Sequence, residues 1–353
     1  MDISRKSQEQ VAGDNSTQNQ IVGTQNNTYV TVNGISIPDV ATFTTTVSTQ
    51  VTQQALSLCT QVAYDIANEK MNEFKSVWLP RVEHMEKVID HFAEPKFQFM
   101  LRDANITAAK SSRQEDLNML SELLACHIEK GYDIKIDAGI GRAINIVSEV
   151  DLDSLCALTV VLSLLNIKPI SGNVDEGLNV LNELYEKLLT TPLPEGDAWI
   201  DNLNIVGAVN ILSGKFYEVD KLLSNRLDGY FSVGIKSNSC EHEKAIEILE
   251  RNHYSKDVLE TNVLLPEYLR LPVVCNRELK SELKPILEFY SKDKTLLQTV
   301  NDNFMNMWDK YETLRIVKEW FNNIPVFFRI NSVGKALAQT NAKRCYSGFP
   351  DLI

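Results

Sequence analysis

Apolar residues return every three or four positions after Pro38: Val40, Phe43, Val47, Val51, Ala55, Leu58, Val62 and Ile66. That spacing marks one face of a helix, and Pro38 with Asp39 supplies its start. Val40, Val51 and Val62 stand eleven residues apart, a period that keeps the stripe nearly straight. The pattern runs on to Phe74 and Val77–Trp78 and meets a proline at Pro80. It predicts one helical stem over 39–79, roughly 60 Å long at about 1.5 Å per residue. Further helical patterns follow over 81–92, 95–110, 113–130, 137–148, 151–165, 173–190, 198–213, 215–224, 241–251, 255–264, 280–290, 293–322 and 332–344. Strand-like runs in this part are few: Val273–Val274, Val326–Arg329 and Tyr230–Ile235. The expected fold class is therefore mainly α, a long N-terminal helix with a multi-helix body.

Ahead of the stem the period changes. Residues 13–36, "GDNSTQNQIVGTQNNTYVTVNGIS", are mostly Asn, Gln, Ser, Thr and Gly. Val30 and Val32 alternate with Thr31 and Asn33, and Ile35 and Ile37 follow the turn dipeptide Asn33-Gly34. Alternation of β-branched residues around a turn predicts short strands, so the leader is read as β-rich. The chain divides on this reading into a mobile N-terminus (1–12), the leader (13–38), the stem (39–79), a helical body (80–270) and a C-terminal helical subdomain (271–353).

Charge changes the meaning of the stem. Between Asp14 and Asp65 the only charged residue is Asp39. The polar side of the stem is Thr, Ser and Gln, and Thr is a mediocre helix former. A solvated helix ordinarily carries Glu and Lys there. The absence of charge points to close approach of another surface: the chain's own body, further copies, or, less readily because no basic face exists to meet anionic lipid, a membrane. A leader of some 25 residues cannot order itself alone, since each fixed residue costs roughly 1–2 kcal/mol of backbone entropy. Several copies side by side share a core, and Asn/Gln ladders with β-branched residues stabilise stacked strands. The expected self-association residues are Gln20, Ile21, Val22, Gly23, Tyr29, Val30, Val32 and Ile35 in the leader. Val40, Phe43, Val47, Val51, Leu58 and Val62 are the expected seam of the stem. The first expectation for copy number is a trimer, because closed rings leave no free strand edge.

The net charge of −12 argues against nucleic acid as a partner, and no Lys/Arg run offsets it. The longest apolar run, "LCALTVVLSLL" (155–165), is about half of what a membrane-spanning helix needs. Six scattered cysteines, none in a CxxC pair, read as reduced and buried thiols. A cytoplasmic location is the expectation.

Catalytic constellations are weak. His84 and His91 lie seven apart on one helical pattern and read as packed or surface histidines rather than metal ligands. There is no HExxH, and "CEHEK" (240–244) lacks a second ligand cluster. "GIGRA" (139–143) follows the strand-like "DIKI", and "VGKALA" (333–338) holds a Gly-Lys pair. Neither completes a phosphate-binding loop. Paired acids such as Asp151/Asp153 read as helix starts. Trp78, Trp199, Trp308 and Trp320 read as core. No catalytic, cofactor-binding or metal residue is assigned.

"SQEQVAGDNSTQNQ" (7–20), "FAEPKFQFMLRDANITAAKSS" (92–112), "LNMLSELLACHIEKGYD" (117–133) and "RINSVGKALAQTNAKR" (329–344) together resemble a group of bacterial proteins known mainly by locus tags. The resemblance implies a cytosolic helical protein with a special leader, from accessory or defence-island genes; a phage or defence-system protein is the implied outside partner. Gln20-Ile21-Val22-Gly23 is in addition similar to the apolar–Gln–apolar–Gly core of necroptosis-type amyloid signalling motifs, with Asn19 where that core has an apolar residue. The functional expectation is a non-enzymatic homo-oligomeric scaffold or sensor. The alternative is a hydrolase or nuclease whose acidic residues converge only in the fold.

Overall fold

The structure, a computed structural model, describes residues 37–55, 61–83, 85, 88–130 and 133–352. The leader residues Gln20, Ile21, Val22, Gly23, Tyr29, Val30, Val32 and Ile35 lie outside these, as does Leu58. The described chain is mainly α-helical. It runs α1 (Ile37–Ala55), α2 (Gln61–Val82), α3 (Val88–Phe92), α4 (Pro95–Lys110), α5 (Gln114–Lys130), α6 (Ile134–Ile146), α7 (Leu152–Asn166) and α8 (Val174–Leu188). Short strands then enter: α9 (Ala198–Ile205), β1 (Val209–Leu212), α10 (Val219–Arg226), β2 (Ile235–Lys236), α11 (Cys240–Arg251), β3 (Glu260–Thr261) and β4 (Tyr268–Arg270). The remaining elements are α12 (Lys294–Trp308), α13 (Glu312–Asn322), β5 (Phe327–Ile330) and α14 (Ser332–Cys345).

The single stem expected over 39–79 is two helices that pack on each other. Thr52 Oγ1 donates to Met71 Sδ at 3.3 Å, and the Lys75 ammonium reaches Thr45 Oγ1. In one straight helix Thr45 and Lys75 would stand about 45 Å apart. The partner on the other side of α1 is α4, where Ser48 Oγ donates to Asn105 Oδ1 at 2.7 Å; the end of α3 joins it, the Phe43 and Phe92 rings meeting edge-on at 6.4 Å. A 3.6-residue stripe reports that a helix face is covered and not what covers it, so the sequence pattern was the same for a hairpin and for a stem.

Helix starts follow their capping residues. Asp133 accepts from the backbone N–H of Lys135 and Ile136 and opens α6, so "DIKI" is a helix start rather than a strand. Asp151, Asn173, Ser239, Asp293 and Asn331 cap α7, α8, α11, α12 and α14 in the same way. The helical pattern over 198–213 is interrupted at Gly207, whose φ of 80° no ordinary helix residue adopts. The chain leaves α9 there and forms β1, which pairs antiparallel with β5 from Val209 opposite Ile330 to Leu212 opposite Phe327. β5 is the strand expected near Val326–Arg329. A second small sheet has the order β2-β4-β3; Val273–Val274 follows it without joining as a strand.

The main core extends from Phe74 and Trp78 on α2 through Leu117–Leu124 of α5 and nearly all of α7 to Phe304, Trp308, Phe328 and Leu337. α7 is buried on all sides, which is why its sequence is a continuous apolar run instead of a stripe. A smaller cluster holds Ile235, Ala245, Leu249, Leu271 and Ile286 under the second sheet. Buried side chains thus group differently from a division at 270/271, because α12, α13 and α14 complete the main core.

Candidate functional site

The residues expected to self-associate separate into two sets. Val51 is buried, and Phe43 and Val47 are half-buried between α1 and α4. Their stripe faces the chain's own body. Val62, eleven residues on, is 67% exposed and Ile66 is 53% exposed, because α2 begins after the chain has doubled back. Val40 lies on α1, and its side chain is outside the described residues.

The outward face of α1 carries Thr42, Thr45, Thr46, Thr49 and Gln50. Thr45, Thr46 and Thr49 donate their hydroxyls to the carbonyls four residues earlier, at 2.7–2.9 Å. A threonine bonded back to its own helix satisfies its polar atom and turns its methyl outward. The face is therefore less hydrophilic than its composition suggests, with Lys75 at one edge. Beside it a groove of about 220 Å³ opens between α1 and α4 over Phe43, Val47, Val51 and Phe99. Phe99 is 59% exposed, with the Arg102 guanidinium 5.1 Å from its ring centre.

The glycine motifs are packing devices. A Cβ on Gly139 would stand 2.8 Å from the Ser332 carbonyl oxygen, and one on Gly334 would stand 2.2 Å from that of Ala208. "GIGRA" and "VGKALA" both lie on helices, α6 and α14: Gly139 lets α6 approach the start of α14, and Gly334 lets α14 approach the backbone between α9 and β1. Trp78, Trp199 and Trp308 are buried. Trp320 is half-buried and donates to the Pro194 carbonyl at 2.8 Å. Cys126, Cys156 and Cys275 are buried thiols, whereas Cys240 is exposed at the start of α11.

One polar cluster lies inside the protein. His127 on α5 is 2% exposed, and its Nδ1 is 2.7 Å from Asp137 Oδ1 on α6. Asp137 is buried, and Lys96 on α4 pairs with its other oxygen. The Phe97 ring stacks on the His127 imidazole at 5.5 Å. His91, at the end of α3, is 3% exposed, with Nδ1 3.6 Å from Glu94 Oε1. The two imidazole centres are 5.8 Å apart. Burial, and then the neighbouring His91 and Lys96, push the His127 imidazole down to about 4, so the ring is neutral at neutral pH. The sequence pairs His91 with His84, which lies outside the described residues, and that spacing reads as packed or surface histidines. Folding places His91 beside His127, 36 residues further on. The legible signal was "HFAE": His91 and Glu94 three apart at the entrance to a helix.

A protein-family model described as ":-like" matches residues 34–352. The chain belongs to that family. The match begins at Gly34 and covers the stretches 92–112, 117–133 and 329–344 that carried the resemblance. Residues 1–33 fall outside it. No curated protein and no solved structure matches the chain. No helix among the described residues is long and apolar enough to cross a membrane.

Proposed function

We propose that this protein is a non-enzymatic homo-oligomeric scaffold or sensor that assembles through its N-terminal leader and the outer face of α1. The observation that supports this most is the surface of α1. A face of five residues without charge, three with hydroxyls turned back onto the helix, borders an open groove in which Phe43, Val47, Val51 and Phe99 stand beside Gln50, Gln98 and Arg102. The leader, itself uncharged from Asn15 to Pro38, enters the fold at the start of this helix. The occupant of the groove is the leader of a second copy. Its β-branched residues Ile21, Val22, Val30, Val32 and Ile35 offer apolar side chains, and its Asn and Gln side chains offer ladders between copies. A trimer is the copy number to test first. It would be held by leaders and α1 faces rather than by a parallel coiled coil, since α1 and α2 are occupied with each other. The role in anti-phage defence, with a phage or defence-system protein as outside partner, rests on the family resemblance.

Sedimentation of the full chain at tens of micromolar tests the proposal. The expected result is a whole-number multiple of the 39.9 kDa chain mass. The expected mass of a chain lacking residues 1–33 is that of one copy, with unchanged helicity. Val51→Asp separates the two possible roles of α1. Val51 is buried within one chain, so the charge should loosen α1 from α4 and lower stability by several kcal/mol. A single-copy full chain, or a multimer indifferent to loss of 1–33, would refute the proposal. A Val51→Asp chain that dissociates while keeping full stability would refute the docking of α1 on α4.

A further inference from the structure

Three ligand-type side chains meet at the corner where α3, α4 and α5 converge. One donor atom from each of His91, Glu94 and His127 lies within 4.8 Å of the other two. His127 is the informative member. Its Nδ1 is held by Asp137, and its Nε2 is buried with no hydrogen-bond partner among the described residues. A neutral imidazole with Nδ1–H on a carboxylate presents a lone pair at Nε2. Leaving that lone pair buried and unmatched is costly. The arrangement of carboxylate, imidazole and open nitrogen is the one that outer-shell carboxylates impose on metal-bound histidines.

We propose that His91, Glu94 and Nε2 of His127 bind a divalent transition-metal ion of the zinc class, with Asp137 as the outer carboxylate that orients His127. The distances favour this ion class. Ligand bonds of about 2.0–2.1 Å at a tetrahedral ion put ligand atoms about 3.4 Å apart and two bound imidazole centres about 5 Å apart. His91 Nδ1 and Glu94 Oε1 are already at 3.6 Å, and the imidazole centres are at 5.8 Å. The three donor atoms, within 4.8 Å of one another, close to that separation by side-chain rotation and movements of up to about 1.4 Å. Imidazole and carboxylate together suit zinc better than calcium or magnesium, which take oxygen ligands.

Charge is consistent with a cation. Glu94 and Asp137 contribute two negative charges and Lys96 one positive. The Lys96 side chain is 61% exposed, so it can swing into water when an ion arrives. The role assigned to the ion is structural. His91 and Glu94 bracket the turn between α3 and α4, His127 sits near the end of α5, and all but Glu94 are buried. An ion there ties the short α3 to the main core, and the gain is binding energy expressed as folding stability. The site uses residues that the assembly surface does not, and its test is separate from the oligomer mass.

The experiment uses the full chain, stripped with a chelator and then given one equivalent of Zn²⁺, followed by exhaustive dialysis and elemental analysis. Co²⁺ in place of Zn²⁺ gives visible absorption bands that report four-coordinate geometry. Cys240→Ser serves as the background, which removes the exposed thiol among the described residues. One retained ion per chain is expected, with a melting temperature raised by Zn²⁺. Glu94→Gln and His127→Gln should each weaken the affinity at least about 100-fold. Asp137→Asn should weaken it about 10- to 100-fold through the outer shell. Lys96→Gln should bind as tightly as the background or more tightly. Glu94 is half exposed, so its variant keeps the fold even where a His127 variant does not, and it decides the question. A chain that retains no Zn²⁺ overturns the proposal. So does a chain that retains the ion equally with Glu94→Gln, because the ion then sits elsewhere.

Discussion

Gly139 and Gly141 stand two residues apart on α6, and the same substitution at each should change stability in opposite directions. In a helix interior alanine is favoured over glycine by roughly 0.5–1 kcal/mol, since glycine loses more backbone entropy on folding. At Gly141 an added methyl would meet only the end of the Met100 side chain, at 3.5 Å. That is ordinary contact with a flexible partner, so Gly141→Ala should gain about 0.5–1 kcal/mol. At Gly139 the methyl would stand 2.8 Å from the Ser332 carbonyl oxygen and 2.9 Å from its carbon. Those atoms are backbone at the start of α14, which also packs on α7 and cannot retreat alone. Overpacking of this kind costs about 1–3 kcal/mol, so Gly139→Ala should lose about 1–2 kcal/mol after the helical gain is subtracted. The two variants should differ by roughly 2 kcal/mol, about a 30-fold difference in the folding equilibrium. Urea titrations followed by circular dichroism measure this directly, provided the slopes with denaturant agree. Equal stabilisation by both substitutions would refute the close approach of α6 to α14. The "GIGRA" glycines would then need another explanation.

Two further predictions rest on buried or paired charges. Arg270 is 4% exposed, and its guanidinium donates to the carbonyls of Gly172, Gly229, Leu271 and Val273 at 2.5–3.3 Å. Arg270→Met should cost at least about 3 kcal/mol because several buried carbonyls lose their donor. Arg270→Lys should recover little, since one ammonium cannot reproduce the planar fork; chemical denaturation of both variants checks this. Asp351 pairs with Lys343 at 2.6 Å and Lys130 at 3.2 Å. Hydrogen bonding to Lys343, with a smaller contribution from Lys130, holds its carboxyl below the usual carboxylate range despite some burial. A depressed carboxylate stabilises the fold above its ordinary value near 3.8, and that stabilisation is lost as pH falls through the lowered one. The protection of the Phe349 and Leu352 amides, relative to the exchange of an unstructured chain at the same pH, should therefore persist at mildly acidic pH and fall below that range. Loss of that protection already at pH 5 would contradict the assignment.

Much of the architecture was legible in the sequence, because the features that make a helix are local. Asp151, Asn173, Asp293 and Asn331 each cap the helix that follows, and the apolar spacing over 95–110, 113–130 and 151–165 matches α4, α5 and α7 closely; Asp133 was hidden because "DIKI" alternates like a strand. Gly207 shows where local reading was incomplete: the apolar pattern continued past it, but a left-handed φ ended the helix and let β1 pair with a strand more than a hundred residues away. The partner of α1 was not legible at all. Its stripe of Val47, Val51 and Phe43 demanded a cover, and only the folded chain assigned α2 and α4 to that task. The histidine cluster was hidden for the same reason. His91 on α3 and His127 on α5 have a whole helix, α4, between them in the sequence, and the carboxylate that orients His127 comes from yet another, Asp137 on α6. Spacing along one helix can place side chains only within a turn or two of each other. Bringing His91, Glu94, His127 and Asp137 together required the packing of α3, α4, α5 and α6 around one corner, and that packing is decided by the burial of the whole core.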